Sequence, residues 1–266
     1  MSSWTSQRVL DTAAATESLP EGAVVVQTAD YRLVRHPDWA LGQPIGAAQV
    51  NWSRTARPLD QVVEEVAARV RYWGLPGVAW WVSPVSRPVG TDGALRDRGA
   101  ELVDAMQVLA CELDDDLLKL DVPADVTVEV VRDEPTVRAA SAVTVPGWGI
   151  TEPDEAGIAS ALRQAVQDLT TWSSFRVVAM VDNEPVSVGG CTLAGEVAQL
   201  WGAITLPASR GHGAYRAVLA ERLRLAHEHG ATLAMVKGRS VPHTPVLLRA
   251  GFTDYGEQRC YWLPVT

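Results

Sequence analysis

Leu200-Trp201-Gly202-Ala203-Ile204-Thr205-Leu206-Pro207-Ala208-Ser209-Arg210-Gly211-His212-Gly213-Ala214-Tyr215-Arg216 is the stretch whose reading decides the fold. An apolar strand runs into a loop with two glycines, and the loop opens a helix. The first N–H groups of a helix have no acceptor within it and point outward. The helix dipole adds partial positive charge at the same end. Together these make an anion site suited to a diphosphate, and glycine lets the backbone come close to it. Arg210 and Arg216 add charge to that cradle. The stretch is neither a P-loop, since no Gly-Lys-Ser/Thr follows, nor a dinucleotide fingerprint. The glycine pair alone also fits a turn that needs glycine only for packing.

Working outward, the second half of the chain reads as regular elements. Val126 to Val131 alternates as a strand, Glu134 to Val143 has helical composition, and Val145-Pro146-Gly147-Trp148-Gly149 reads as a loop carrying an aromatic residue. A helix is expected over Asp154 to Leu169, capped by Thr151 or Asp154. Strands over Phe175 to Val181 and Pro185 to Leu193 flank the turn Asp182-Asn183-Glu184, a hairpin. Val197 to Leu206 is a further strand. Tyr215, Val218, Leu219, Leu223 and Ala226 recur at helical spacing up to Gly230. Thr232 to Lys237, Pro245 to Arg249 and Gln258 to Leu263 then read as strand, short helix and strand. This order predicts a mixed α/β sheet with helices on its faces.

The Arg210 loop resembles motif A of the GCN5-related N-acetyltransferase (GNAT) superfamily, Arg/Gln-x-x-Gly-x-Gly/Ala after the fourth strand. Arg210 and Gly213 match its first two positions, and Tyr215 stands in place of the final Gly or Ala. Pro245-Val246-Leu247-Leu248-Arg249-Ala250-Gly251-Phe252 resembles motif B, a short helix ending in Gly-Phe. The resemblance covers roughly residues 126 to 264. It implies a mostly antiparallel sheet, helices on both faces, and a split between the fourth and fifth strands where a pantetheine arm lies. It places backbone groups of Ile204, Thr205 and Leu206 on pantetheine. The loop N–H groups of Gly211, His212, Gly213, Ala214 and Tyr215, with Arg210, are placed on the pyrophosphate. The implied co-substrate is acetyl-CoA or another acyl-CoA, and the implied reaction is direct attack of an amine on the thioester.

Two departures bear on the chemistry. The family's motif B tyrosine, which protonates the leaving thiolate, is replaced by Leu247. His243, Tyr255 or Tyr261 are the substitutes expected here, with His243 the sharpest, although His243 also suits helix capping. The family's fourth-strand glutamate is replaced near Gln199, which leaves Glu196 as a base acting through water, or as a turn residue. Trp148 and Trp201 are expected to line an apolar acceptor pocket, with core packing as the plainer reading.

The first half is fainter. Val24 to Val34, Ile45 to Trp52, Val78 to Val82 and Ala105 to Leu113 read as strands, and Leu59 to Trp73 and Thr91 to Arg98 as helices. Trp80-Trp81-Val82 leading to Gly99-Ala100 echoes Met235-Val236-Lys237 leading to Gly251-Phe252, which suggests a tandem. Strand-helix-strand units also look alike in general. The stretch Asn51-Trp52-Ser53-Arg54-Thr55-Ala56-Arg57-Pro58 corresponds to the Arg210 loop and holds no glycine. The expected organisation is a degenerate GNAT-like half over 1–121, lacking a pyrophosphate loop, followed by an acyl-CoA-binding domain over 122–266.

Bulk properties narrow the partners. A net charge of -9 argues against nucleic-acid or anionic-membrane binding and mildly favours a cationic amine acceptor. No apolar run is long enough to span a bilayer. The three cysteines lie far apart without metal-ligand spacing, and no export signal is evident, so free thiols in a reducing cytoplasm and no metal are expected. The first nineteen residues, rich in Ser, Thr and Ala, are expected to be poorly ordered. A monomer and a homodimer are both compatible with the sequence.

Overall fold

In the computed structural model, residues 4–15, 22–37, 47–113, 120–238 and 244–265 are described. The chain divides into two units that it enters more than once. One comprises Met1–Val108, Lys237–Pro242 and Asp254–Thr266; the other comprises Leu109–Val236 and His243–Thr253.

The first unit contains α1 (Ser6–Ala15), β1 (Val24–Gln27), β2 (Tyr31–Arg35), β3 (Ala48–Ser53), α2 (Leu59–Tyr72), β4 (Gly77–Val82), α3 (Thr91–Arg96), the start of β5 (Glu101–Glu112) and the last strand, β11 (Thr253–Pro264). Its strands run β1-β2-β3-β4-β11, with β3–β4 parallel and the other neighbours antiparallel. Val62, Val66 and Val70 of α2 pack on Leu33, Val50, Val78 and Trp80. The N-terminal segment corrects the sequence expectation. It forms α1, whose Val9, Leu10, Ala13 and Ala14 are buried. Fully burying a valine or leucine is worth about 2 kcal/mol, which outweighs the weak propensities that suggested disorder.

The final strand also lies elsewhere than its sequence position suggests. Instead of completing the second unit, β11 pairs antiparallel with β4, from Arg259↔Val82 to Pro264↔Gly77. Tyr261 and Leu263 enter the α2-covered core.

The second unit contains the end of β5, then β6 (Val126–Val130), α4 (Glu134–Trp148), α5 (Glu155–Thr171), β7 (Ser174–Val181), β8 (Glu184–Ala194), β9 (Val197–Thr205), α6 (Ala214–Glu228), β10 (Leu233–Gly238) and α7 (Thr244–Arg249). Its strand order is β10-β9-β8-β7-β6, parallel only between β10 and β9. Asp182 and Asn183 adopt φ of 51° and 64°, the left-handed pair that a two-residue hairpin requires. Side chains of α6 and α7, among them Val218, Leu219, Leu223 and Leu247, cover one sheet face with Phe175, Val177 and Cys191. Val137, Ala140, Val143 and Ile158 of α4 and α5 cover the other with Val178 and Val188. The fold is thus a mixed, mostly antiparallel α/β sheet with helices on both faces. Among the described residues no helix is long and apolar enough to cross a membrane.

Candidate coenzyme site

The site begins with a distortion of β9. Gly190 pairs with Trp201 and Val188 with Ile204, so Gly202 and Ala203 together face the single residue Gly189. Gly202 takes φ of 59°, where a side chain would be strained. This is a β-bulge, which bends a strand and re-aims its groups. β9 and β10 also part company here. Their parallel pairing runs from Val197↔Leu233 to Leu200↔Val236. Trp201 to Thr205 continue paired to β8.

Hydrogen-bond alternation decides which main-chain groups face the split. The Leu206 N–H donates to the Val186 carbonyl (3.0 Å), and the Ser187 hydroxyl donates to the Ile204 carbonyl (3.0 Å). Both residues therefore turn toward β8. Groups on an antiparallel strand alternate in direction, so Ala203 and Thr205 face the split. Of the expected pantetheine residues Ile204, Thr205 and Leu206, only Thr205 is directed there. The bulge turns Ala203 toward the same side, a direction that leaves no composition signal. The Thr205 carbonyl accepts from Arg210 Nε at 3.2 Å, which holds the arginine beside the strand's end.

Beyond β9, a 3-10 turn (Pro207–Ser209) leads into the loop. Gly211 and Gly213 adopt φ of 83° and 84°. These are the two positions where glycine is required, since other residues pay about 1–2 kcal/mol there. A Cβ on Gly213 would also lie 2.5 Å from Pro123. Gly213 is the N-cap of α6 and supplies no side-chain acceptor. The contrast within this unit is direct: α4 is capped by Asp133 and α5 by Asp154. Arg216, one turn into α6, folds back so that its guanidinium stands 3.3 Å from where a Gly213 Cβ would be. Its Nε is buried without a hydrogen-bond partner. A buried unpaired donor costs about 1–3 kcal/mol. A cradle of left-handed glycines, an uncapped helix start and an orphaned guanidinium N–H fits an anionic ligand. A coenzyme pyrophosphate meets each of these requirements.

The remaining sequence expectations divide. Glu196 occupies the β8–β9 turn, where its carbonyl accepts from Thr232 and Leu233 N–H groups. The nine residues of β9 then lie between it and the loop, about 30 Å at ~3.3 Å per residue. Tyr255 lies on β11, in the first unit. His243 lies outside the described residues. Leu247 is 2% exposed and packed in the α6-side core, consistent with its apolar nature.

Trp148 is not in a loop: α4 continues through Pro146 to Trp148, closed by Gly149 at φ of 64°. A proline near the helix end removes one N–H without ending the helix. The neighbouring Gly147 lets α4 approach β9, since a Cβ there would lie 2.5 Å from Ile204. Trp201 lines a separate cavity with α5 and β7, and Trp148 is not among its lining residues. Among the described residues no group of three or more His, Cys, Asp or Glu is arranged to hold a metal.

The first unit repeats the distortion but closes the split. β3 carries a bulge opposite Arg32/Leu33, and its pairing with β4 is limited to Gln49↔Ala79 and Val50↔Trp80. Beyond that point Arg87 N–H donates to the Ser53 carbonyl and Thr55 N–H to the Arg87 carbonyl. The strand edge that would receive a ligand is taken by the chain itself. α2 starts at Pro58, with no glycine loop before it.

No family model matches this chain, and no curated protein matches it by sequence. Its fold is shared with solved structures. A GCN5-related N-acetyltransferase from Kribbella flavida is 18% identical, with 97% of this chain and 95% of that one covered at a TM-score of 0.66. A tandem GNAT protein from the clavulanic acid biosynthesis pathway is 18% identical, with 96% and 86% covered at 0.63. A GCN5-related N-acetyltransferase from Sphaerobacter thermophilus is 16% identical, with 92% and 83% covered at 0.64. At these identities the likeness establishes the fold, and it extends over nearly the whole chain.

Proposed function

We propose that this protein is an acyl-CoA-dependent N-acyltransferase that uses acetyl-CoA or a related thioester and acts on the amine of a small molecule. The observation that carries this reading is Arg216, whose Nε is buried without a partner and whose Nη2 stands beside Gly213 of the loop. It sits at the end of a strand whose Ala203 and Thr205 main-chain groups face an open split. In this reading Arg210, Arg216 and the loop N–H groups hold the pyrophosphate, and Ala203 and Thr205 hold the pantetheine arm. The thioester supplies an activated acyl group. A neutral amine attacks its carbonyl carbon, the C–S bond breaks, and the thiolate leaves with the coenzyme. Oriented main-chain N–H groups near the bulge stabilise the developing oxyanion, and orientation supplies much of the acceleration. His243 remains the candidate for protonating the thiolate.

A second reading has its own supporting observation. Leu247 is buried where the resembled family carries its acid, which suits a coenzyme-binding module without turnover. Release of free CoA thiol from acetyl-CoA, followed with a thiol-reactive dye across an amine panel, separates the two. All three protein cysteines are buried, so the dye reports the coenzyme. Amine-dependent thiol release supports the transferase; tight acetyl-CoA binding with no release for any amine supports the module.

A further inference from the structure

A cavity of about 330 Å³ lies on the α5 face of the second unit, away from the glycine loop. Its volume is at the small end of ligand pockets. Three of its lining side chains carry chemistry that the coenzyme site does not use. Arg176, on β7, has a guanidinium with no hydrogen bond or ion pair to a described residue. Burial pulls its pKa down, and the nearby Asp168 carboxylate only partly offsets this. Asp168, on α5, has Oδ1 accepting from Gln164 Nε2 at 2.7 Å, which fixes the carboxylate and leaves its other oxygen for a donor. Trp201, on β9, donates its indole N–H to Thr192 Oγ1 at 2.9 Å, so the ring is pinned and stands 42% exposed. Val131, Ala161 and Ala165 give the wall its apolar part, and Gln164, Ser174 and Phe175 complete the lining.

A simple anion satisfies the arginine but meets the aspartate. A simple cation meets the reverse. One small molecule answers both, with a carboxylate for Arg176 and an ammonium for Asp168. An apolar side chain then has the indole face and the alanine wall to cover. We infer that this cavity is a binding site for a free α-amino acid with an apolar side chain. The ligand would bind as the zwitterion, carboxylate on Arg176 and ammonium on Asp168. Guanidinium and carboxylate recognition of opposite ends fixes the ligand's direction as well as its charge. The inference stands apart from the coenzyme loop: neither residue touches that loop, and amino-acid binding does not require thioester chemistry.

The test is calorimetric titration of the full chain with free L-amino acids, including Leu, Met and Phe, and with their N-acetyl and methyl-ester derivatives. Binding of a free apolar amino acid is expected. A loss of at least tenfold is expected when either charge is blocked on the ligand, and equally in Arg176→Met or Asp168→Asn. Because the Arg176 guanidinium has no bonded partner among the described residues, Arg176→Met is expected to melt at the wild-type temperature or above it. Acetyl-CoA affinity is expected to be unchanged in both variants, which separates this site from the coenzyme reading. Asp168→Asn keeps size and helix context, and serves should Arg176→Met misfold. No binding of any free amino acid, or binding that survives both substitutions, would overturn the inference.

Discussion

At the residue scale, the arginines show what a sequence can and cannot disclose. Arg210 and Arg216 were legible as cradle charges, because they flank a glycine loop at a helix start. What was not legible is that Arg216 buries an unpaired Nε and sets its Nη2 beside Gly213, whereas Arg210 is held to the Thr205 carbonyl. Arg222 was invisible as a special residue. It lies on the apolar face of α6, 1% exposed, bonded to the Gly190 and Val218 carbonyls, with Tyr215 and Cys191 facing its charge. A Cβ on Gly189 would run into Val218 and Arg222, at 2.8 and 2.9 Å. Two predictions belong here. Arg216→Met is expected to weaken acetyl-CoA binding about tenfold, roughly 1.4 kcal/mol, with little change in melting temperature, since its buried Nε has no hydrogen-bond partner among the described residues. The second concerns Cys191, whose thiol burial pushes up to about 12 from 9.0. The unfolded thiol gives up its proton first, so rising pH favours unfolding. This contribution is complete below about pH 9 and is lost toward pH 12. Chemical denaturation between pH 8 and 11.5 is expected to show stability falling only above pH 9, and Cys191→Ala to reduce that fall; an identical fall in the variant would remove Cys191 as a cause.

At the element scale, strands and helices with strong periodicity were recoverable. β7, β8, β9 and α6 stand within a residue or two of their sequence-derived bounds. Failures came where tertiary packing overrules local signals. Pro146 and Gly147 read as a loop, yet packing of α4 on Ile204 carries the helix to Trp148. The β9 bulge could not be read either, because it is a register event between two strands. Past it, the Ile204 carbonyl and the Leu206 N–H are bonded toward β8. The loop predicts an ordered pair of stabilities. Gly211→Ala meets only left-handed strain, whereas Gly213→Ala adds a contact at 2.5 Å from Pro123. Gly213→Ala is therefore expected to lower the melting temperature further than Gly211→Ala. Equal effects in differential scanning calorimetry would count against the described packing. Asp154→Ala, which removes the α5 cap, is expected to cost about 1 kcal/mol and leave acetyl-CoA affinity intact.

At the scale of the whole molecule, the sequence echo has a structural counterpart in each unit: a bulged strand, a short parallel pairing, then a split. The second unit leaves the split open beside a glycine loop, and the first fills it with Arg87. The absence of glycine between Asn51 and Pro58 announced part of that difference. The Arg87 plug was not announced, because it depends on a loop thirty-odd residues later reaching back to β3. The destination of β11 was equally hidden, since a short apolar strand carries no record of its partner. Removing residues 253–266 is expected to deprotect β4 amides in hydrogen exchange, because β11 pairs along all of β4. Retained β4 protection would contradict that pairing.

The central claim is that the Gly211–Gly213 loop and Arg216 bind an acyl-CoA pyrophosphate. Isothermal titration of acetyl-CoA into the wild-type chain and into Arg216→Met tests it most directly. The account predicts saturable binding to the wild type, about tenfold weaker in the variant, with both proteins equally folded by circular dichroism. Absence of binding to folded wild type, or equal affinity in the two proteins, would contradict it.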